Sequence, residues 1–83
     1  MHLEFTEHAK QVIKEREIQP EWIQLVLTNP EKIEPDKEDN ALEHTLAKIP
    51  EFGNRVLRVI YNKKASPLKI ITVYFDRTMR GKI

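Results

Sequence analysis

The spacing of apolar residues changes once along the chain, near Lys32, and that change restricts the fold more than any other feature. Before it, Ala9, Val12 and Ile13, then Trp22, Ile23, Val26 and Leu27, recur at helical spacing. After it, residues 42–49, 54–62 and 68–75 alternate apolar with polar, the period of half-buried strands. Thr6 suits a helix N-cap and Glu7 a first turn, which predicts a helix over 7–17. Pro20 and Glu21 suit the start of a second helix. Thr28-Asn29-Pro30 ends it, because the residue before a proline is driven from helical angles. Residues 2–5 and Lys32–Pro35 read as two brief strands, with PDKEDN, PEFG and KKASP as loop and turns. The expected fold class is α+β. A short N-terminal strand precedes two helices packed on one face of a three- to four-stranded antiparallel sheet, within a single domain spanning 1–83.

Charge divides along the same chain. Residues 1–52 hold six Lys/Arg against twelve Asp/Glu, whereas residues 53–83 hold eight Lys/Arg against Asp76 alone. Such a split points either to mutual neutralisation of the halves or to a polyanionic partner for the basic one. The chain has no cysteine and no apolar run near ~18 residues, so a cytoplasmic protein with no membrane partner is expected. No phosphate-binding glycine loop exists, since Gly53 and Gly81 are the only glycines. Three scattered histidines without Cys or HExxH spacing suggest no metal site, and no cofactor is expected.

Strand pairing decides which side chains gather. Pairing across KKASP sets Arg58 opposite Thr72, Val56 opposite Tyr74 and Ile60 opposite Ile70. Pairing Ile49 with Asn54 across PEFG adds Glu43, Thr45 and Ala47 to the Arg58 face and leaves His44 on the core face. A mid-strand arginine is then either tied to Glu43 across the strands or a fork for phosphate on the helix-free face. Arg16 lies on the apolar side of its helix, which suggests a structural bridge, for instance to Asp76, or the rim of a site shared with His8. His8, in the first helical turn, is the one good acid/base candidate; His2 lies near the terminus. Tyr74 suits stacking or proton donation, while Arg55, Thr72, Arg77, Arg80 and Lys82 extend a cationic surface.

Taken together, Phe5-Thr6-Glu7-His8-Ala9, Arg16-Glu17-Ile18, Asn29-Pro30, Arg55-Val56-Leu57-Arg58-Val59 and Thr72-Val73-Tyr74-Phe75-Asp76-Arg77 resemble a widespread bacterial family of small proteins known as a domain of unknown function. In outline the domain is also similar to the RelE/ParE toxin fold, which implies ribonuclease or toxin-like activity and an antitoxin-like protein partner. The chain departs from its relatives at Val12, where many carry a second arginine, and at Glu17, where many carry glycine. It also lacks the C-terminal helix common among RelE-type toxins.

Three functions follow as expectations. The first is a metal-independent endoribonuclease with His8, Arg58, Arg16 and Tyr74 as its catalytic set and RNA gripped by Arg55, Thr72, Arg77, Arg80 and Lys82. The second is a non-catalytic module that binds nucleic acid or protein through the same surface. The third is a homodimer that buries the helix-free face, because Val56, Ile60, Ile70 and Tyr74 look too apolar to leave open.

Overall fold

Thr6 performs two jobs in the computed structural model, which describes residues 2–83. Its Oγ1 accepts a hydrogen bond from the Ala9 backbone N–H at 3.0 Å, capping the first helix, and donates to the Ile71 carbonyl at 2.9 Å. The helix start is thereby tied to the last strand. In chain order the elements are β1 (Leu3–Phe5), α1 (Glu7–Glu15), α2 (Pro20–Thr28), β2 (Lys32–Pro35), β3 (Leu42–Ile49), β4 (Arg55–Asn62) and β5 (Leu68–Phe75). Short 3-10 turns follow β3 at Pro50–Phe52 and β5 at Arg77–Met79.

α1 stops two residues short of its expected end, and the stop has a clear cause. Glu17 adopts φ 53° beyond the Arg16 C-cap, and the N–H groups of Glu17 and Ile18 donate to the carbonyls of Lys14 and Ile13. That is the Schellman arrangement, in which a left-handed residue turns the chain so that the next apolar one, here buried Ile18, folds back on the helix. No helix among the described residues is long and apolar enough to cross a membrane.

The sheet has five strands in the order β1-β5-β4-β3-β2. β2 to β5 form an antiparallel meander, whereas β1 pairs parallel with β5 through Leu3↔Leu68 and Phe5↔Ile70. The sheet is therefore mixed and one strand wider than expected, because β1 and β2 both join it. α1 packs on β5, and α2 packs on β3 and β4. Ala9, Ile18, Trp22, Ile23 and Val26 meet Ala47, Ile49, Leu57, Val59, Ile70 and Val73 in one core. At roughly 25 cal/mol per Å² of apolar surface removed from water, this layer supplies most of the drive to fold.

Registers differ from expectation in two places. Ile49 pairs with Arg55 rather than Asn54, because the 3-10 turn and the left-handed pair Gly53 and Asn54 lengthen the loop by one position. Every β3 side chain changes face as a result: His44 and Leu46 join Arg58, while Glu43, Thr45 and Ala47 turn to the helix side. In β5 a bulge between the Ile60 and Tyr61 pairings places Tyr61 opposite Ile70 and Ile60 opposite Thr72, leaving Ile71 as the extra residue. Arg58 faces Tyr74, not Thr72. Ile70 enters the core with no exposure. Arg58, Thr72 and Tyr74 still share the helix-free face.

Candidate functional site

An open groove of about 970 Å³ runs between α1 and the end of β5 and continues along the C-terminal turn. α1 contributes His8, Val12, Glu15 and Arg16; β5 contributes Thr72, Tyr74 and Phe75; Phe52, Arg55, Arg77 and Arg80 close the walls. Each element delivers its residue for a local reason. Arg16 reaches the groove because it caps α1, where the helix no longer directs side chains onto the core. Arg77 and Arg80 are held by Asp76, whose carboxylate accepts from the Thr78 N–H at 3.0 Å and from the Thr78 hydroxyl at 2.6 Å, fixing the 3-10 turn.

The groove is cationic on balance, with Arg16, Arg55, Arg77 and Arg80 set against Glu15 and Asp76. Arg16, Arg55, Arg77 and Arg80 are exposed, and none has a carboxylate within salt-bridge distance among the described residues. Arg16 thus lacks the bridge to Asp76 that its position on the helical wheel suggested. Among the described residues only two ion pairs cross between the acidic and basic parts of the sequence, Arg58–Glu34 and Lys63–Glu43, so the halves do not neutralise one another. Tyr74 is 41% exposed at the same groove, and His8 is exposed on the second residue of α1.

Arg58 is absent from the lining, and its surroundings explain why. Its Nε and Nη2 reach Asp76 Oδ2 at 2.9 and 2.8 Å, while Nη1 donates to Glu34 Oε1 at 2.9 Å. Nη1 also lies 2.7 Å from His44 Nδ1. A guanidinium only donates, so His44 Nδ1 accepts and its Nε2–H donates to Asp36 at 2.7 Å. With its side chain 11% exposed and three nitrogens engaged, Arg58 is an ion-network hub rather than a fork open to phosphate. Glu43, its expected partner, instead accepts the Tyr61 hydroxyl on the other face.

Directions of proton affinity agree with that network. Hydrogen bonds from the Thr78 side chain and then Arg58 hold the Asp76 carboxyl below its ordinary range, although burial pushes the other way. The hydrogen bond from Arg58 lowers Glu34, and that from His44 lowers Asp36. Burial disfavours charge on Arg58, but hydrogen bonds to Asp76 and Glu34 more than reverse this and raise its pKa. Burial, reinforced by Glu43, pushes the Tyr61 phenol well up.

Of the nine residues the sequence nominated, His8, Arg16, Arg55, Thr72, Tyr74, Arg77 and Arg80 line this groove, whereas Arg58 and Lys82 do not. Of the apolar patch expected to drive dimerisation, Val56 at 1% exposure and Ile70 at none are buried within the chain, whereas Ile60 is half-buried and Tyr74 exposed. Phe52 was missed. Its ring lies 5.1 Å from Trp22 and 5.0 Å from Phe75, with the Arg55 guanidinium carbon 4.7 Å above it. The signal for it was an aromatic residue three positions before an arginine, within the turn.

Residues 5–75 match the model of a family described as a domain of unknown function (DUF4258). No curated protein and no solved structure matches the chain.

Proposed function

The chain belongs to the domain-of-unknown-function family DUF4258, whose description states no activity, and we propose from the groove itself that it binds single-stranded RNA and cleaves it without a metal. One observation carries this reading: four arginines, Arg16, Arg55, Arg77 and Arg80, line one groove with no acid paired to any of them among the described residues. Like charges gathered without counterions raise the local potential, and a phosphate chain relieves it while releasing its own counterions. The RelE-like outline of the domain belongs to the same proposal.

The chemistry assigned to the groove is transesterification at a ribose. His8 accepts the proton of the 2′-OH as that oxygen bonds to phosphorus, a proton transfer worth about 10²–10⁴-fold in rate. The groove arginines stabilise the charge gathering on the phosphorane oxygens, commonly the larger contribution. The Tyr74 hydroxyl gives its proton to the departing 5′-oxygen, and the products carry a 2′,3′-cyclic phosphate and a 5′-OH. The 2′-OH requirement restricts cleavage to RNA.

A second reading, RNA binding without turnover, is favoured by one position. Val12 lines the groove at a position where the family resemblance implies arginine, so this chain would offer the transition state one cation fewer. Labelled single-stranded RNA incubated in EDTA decides between them. Cleavage leaving cyclic ends, absent with DNA and reduced about 100-fold or more by His8→Ala, supports the enzyme. Salt-sensitive binding of intact RNA supports the module, and failure to bind RNA overturns both.

A further inference from the structure

We infer that the Phe52–Arg55 end of the groove is a subsite for one unpaired nucleobase, an inference that rests on the RNA reading above. Phe52 is 38% exposed, yet its ring is held in place from behind by Trp22 and Phe75. Trp22 is itself fixed, because its indole N–H donates to Glu51 in the same 3-10 turn. Gly53 at φ 69° and Asn54 at φ 58° then reverse the chain so that Arg55 returns over Phe52. The left-handed pair explains why glycine stands at the first of these positions.

The result is a cluster in which Trp22 meets Phe52 in a tilted contact and the exposed Arg55 guanidinium lies over the Phe52 ring, with Phe52 and Arg55 both lining the groove. Arg55 has no acid partner among the described residues, and the Phe52 ring beneath its guanidinium favours one placement of the side chain before any ligand arrives. A nucleobase supplies the next layer, since every base has a π face that stacks on guanidinium or aromatic planes. Flanking phosphates then meet Arg16, Arg77 and Arg80, which line the same groove. Stacking of this kind needs a base splayed out of a helix, and the groove therefore selects single strands over duplexes.

The test uses RNA octamers carrying 2-aminopurine at each position in turn, with affinity and fluorescence measured at several salt concentrations. At least one position is expected to be quenched on binding. Arg55→Lys keeps the charge but loses the plane. It is expected to weaken binding about tenfold and to abolish the quench while leaving the salt slope unchanged, as removal of a single base-stacking partner does. Because Arg55 is exposed, this substitution leaves the core intact. Octamers that bind without quenching at any position, an Arg55→Lys variant that binds as the parent does, or duplex RNA bound equally well would each overturn the subsite and leave the RNA reading standing. No octamer binding at all removes both.

Discussion

The chain treats its five arginines in two opposite ways. Arg58 sits on the helix-free face with Asp76, Glu34 and His44 around it, while Arg16, Arg55, Arg77 and Arg80 share a groove with no acid partner among the described residues. A paired, nearly buried guanidinium is a structural element whose value lies in what it holds. Guanidiniums collected in one depression without acid partners repel one another, which marks the depression as a candidate site for an anion. The two groups are nevertheless linked. Arg58 anchors Asp76, and Asp76 caps the turn that carries Arg77 and Arg80 into the groove.

The most severe way to break this comparison is to remove the hub. Arg58→Ala leaves the poorly exposed Asp76 without its cation and Glu34 with Lys32 alone, and a loss of about 3 kcal/mol is expected in urea denaturation. Arg58→Lys recovers only part of it, because one ammonium cannot replace the planar fork. A loss below about 0.5 kcal/mol for Arg58→Ala would show that the network is a solvated surface cluster and erase the distinction. A gentler route is acid. The Asp76, Glu34 and Asp36 carboxyls are all depressed in the folded chain, so the unfolded chain binds protons first as pH falls. Their contribution is complete above the ordinary values of 3.8 for Asp76 and 4.5 for Glu34, and it disappears as pH drops through the lower folded values. Urea midpoints recorded from pH 7 to pH 2 should decline below about pH 5, and less steeply in Arg58→Ala.

Alanine at the groove arginines sharpens the same contrast from the other side. Arg16→Ala and Arg77→Ala are expected to leave unfolding free energies within about 0.5 kcal/mol of the parent, as exposed substitutions without partners do. Each should instead weaken single-stranded RNA binding and reduce the slope of log affinity against log salt by about 0.7 for every phosphate the variant no longer neutralises. Equal stability losses at Arg16 and Arg58 would mean that the groove arginines are structural after all.

How much of this was legible follows from where chain parity was set. β3 and β5 begin and end where alternation placed them, at Leu42–Ile49 and Leu68–Phe75, because a period of two survives any error in pairing. Which face each side chain takes depends instead on turn geometry. Two left-handed residues after Phe52 moved β3 by one position and exchanged Glu43 for His44 beside Arg58. In β5 two deviations added. The turn shifted the pairing by one residue and the bulge at Ile71 by one more in the same direction, and because two residues are a full strand period, Arg58, Thr72 and Tyr74 kept a common face although their partners changed. The groove was legible as a list of cations but not as a place, since α1, the PEFG turn and the C-terminal turn meet only through tertiary packing. The locking of Arg58 was hidden for a related reason: Glu34 and Asp76 lie 24 and 18 residues away from it in sequence.

The smallest effect is expected at Glu17, and it bears on the groove side alone. Its φ of 53° places a side-chain-bearing residue in the left-handed region, next to the groove-lining Arg16. A non-glycine residue there carries roughly 1–2 kcal/mol of steric cost. Glycine removes that cost but gives back about 0.5–1 kcal/mol through the greater freedom of the unfolded chain. Glu17→Gly should therefore stabilise the domain by about 0–1.5 kcal/mol, read as a higher urea midpoint at unchanged slope. The same change deletes an exposed acid beside Arg16 and should raise RNA affinity slightly, an effect that fades at high salt. Glu17 is a partner of neither Arg58 nor its carboxylates, so the acid-dependence of stability should not move. A Glu17→Gly variant destabilised by more than about 1 kcal/mol would show that the side chain at this position, and not the backbone turn alone, helps to hold the end of α1.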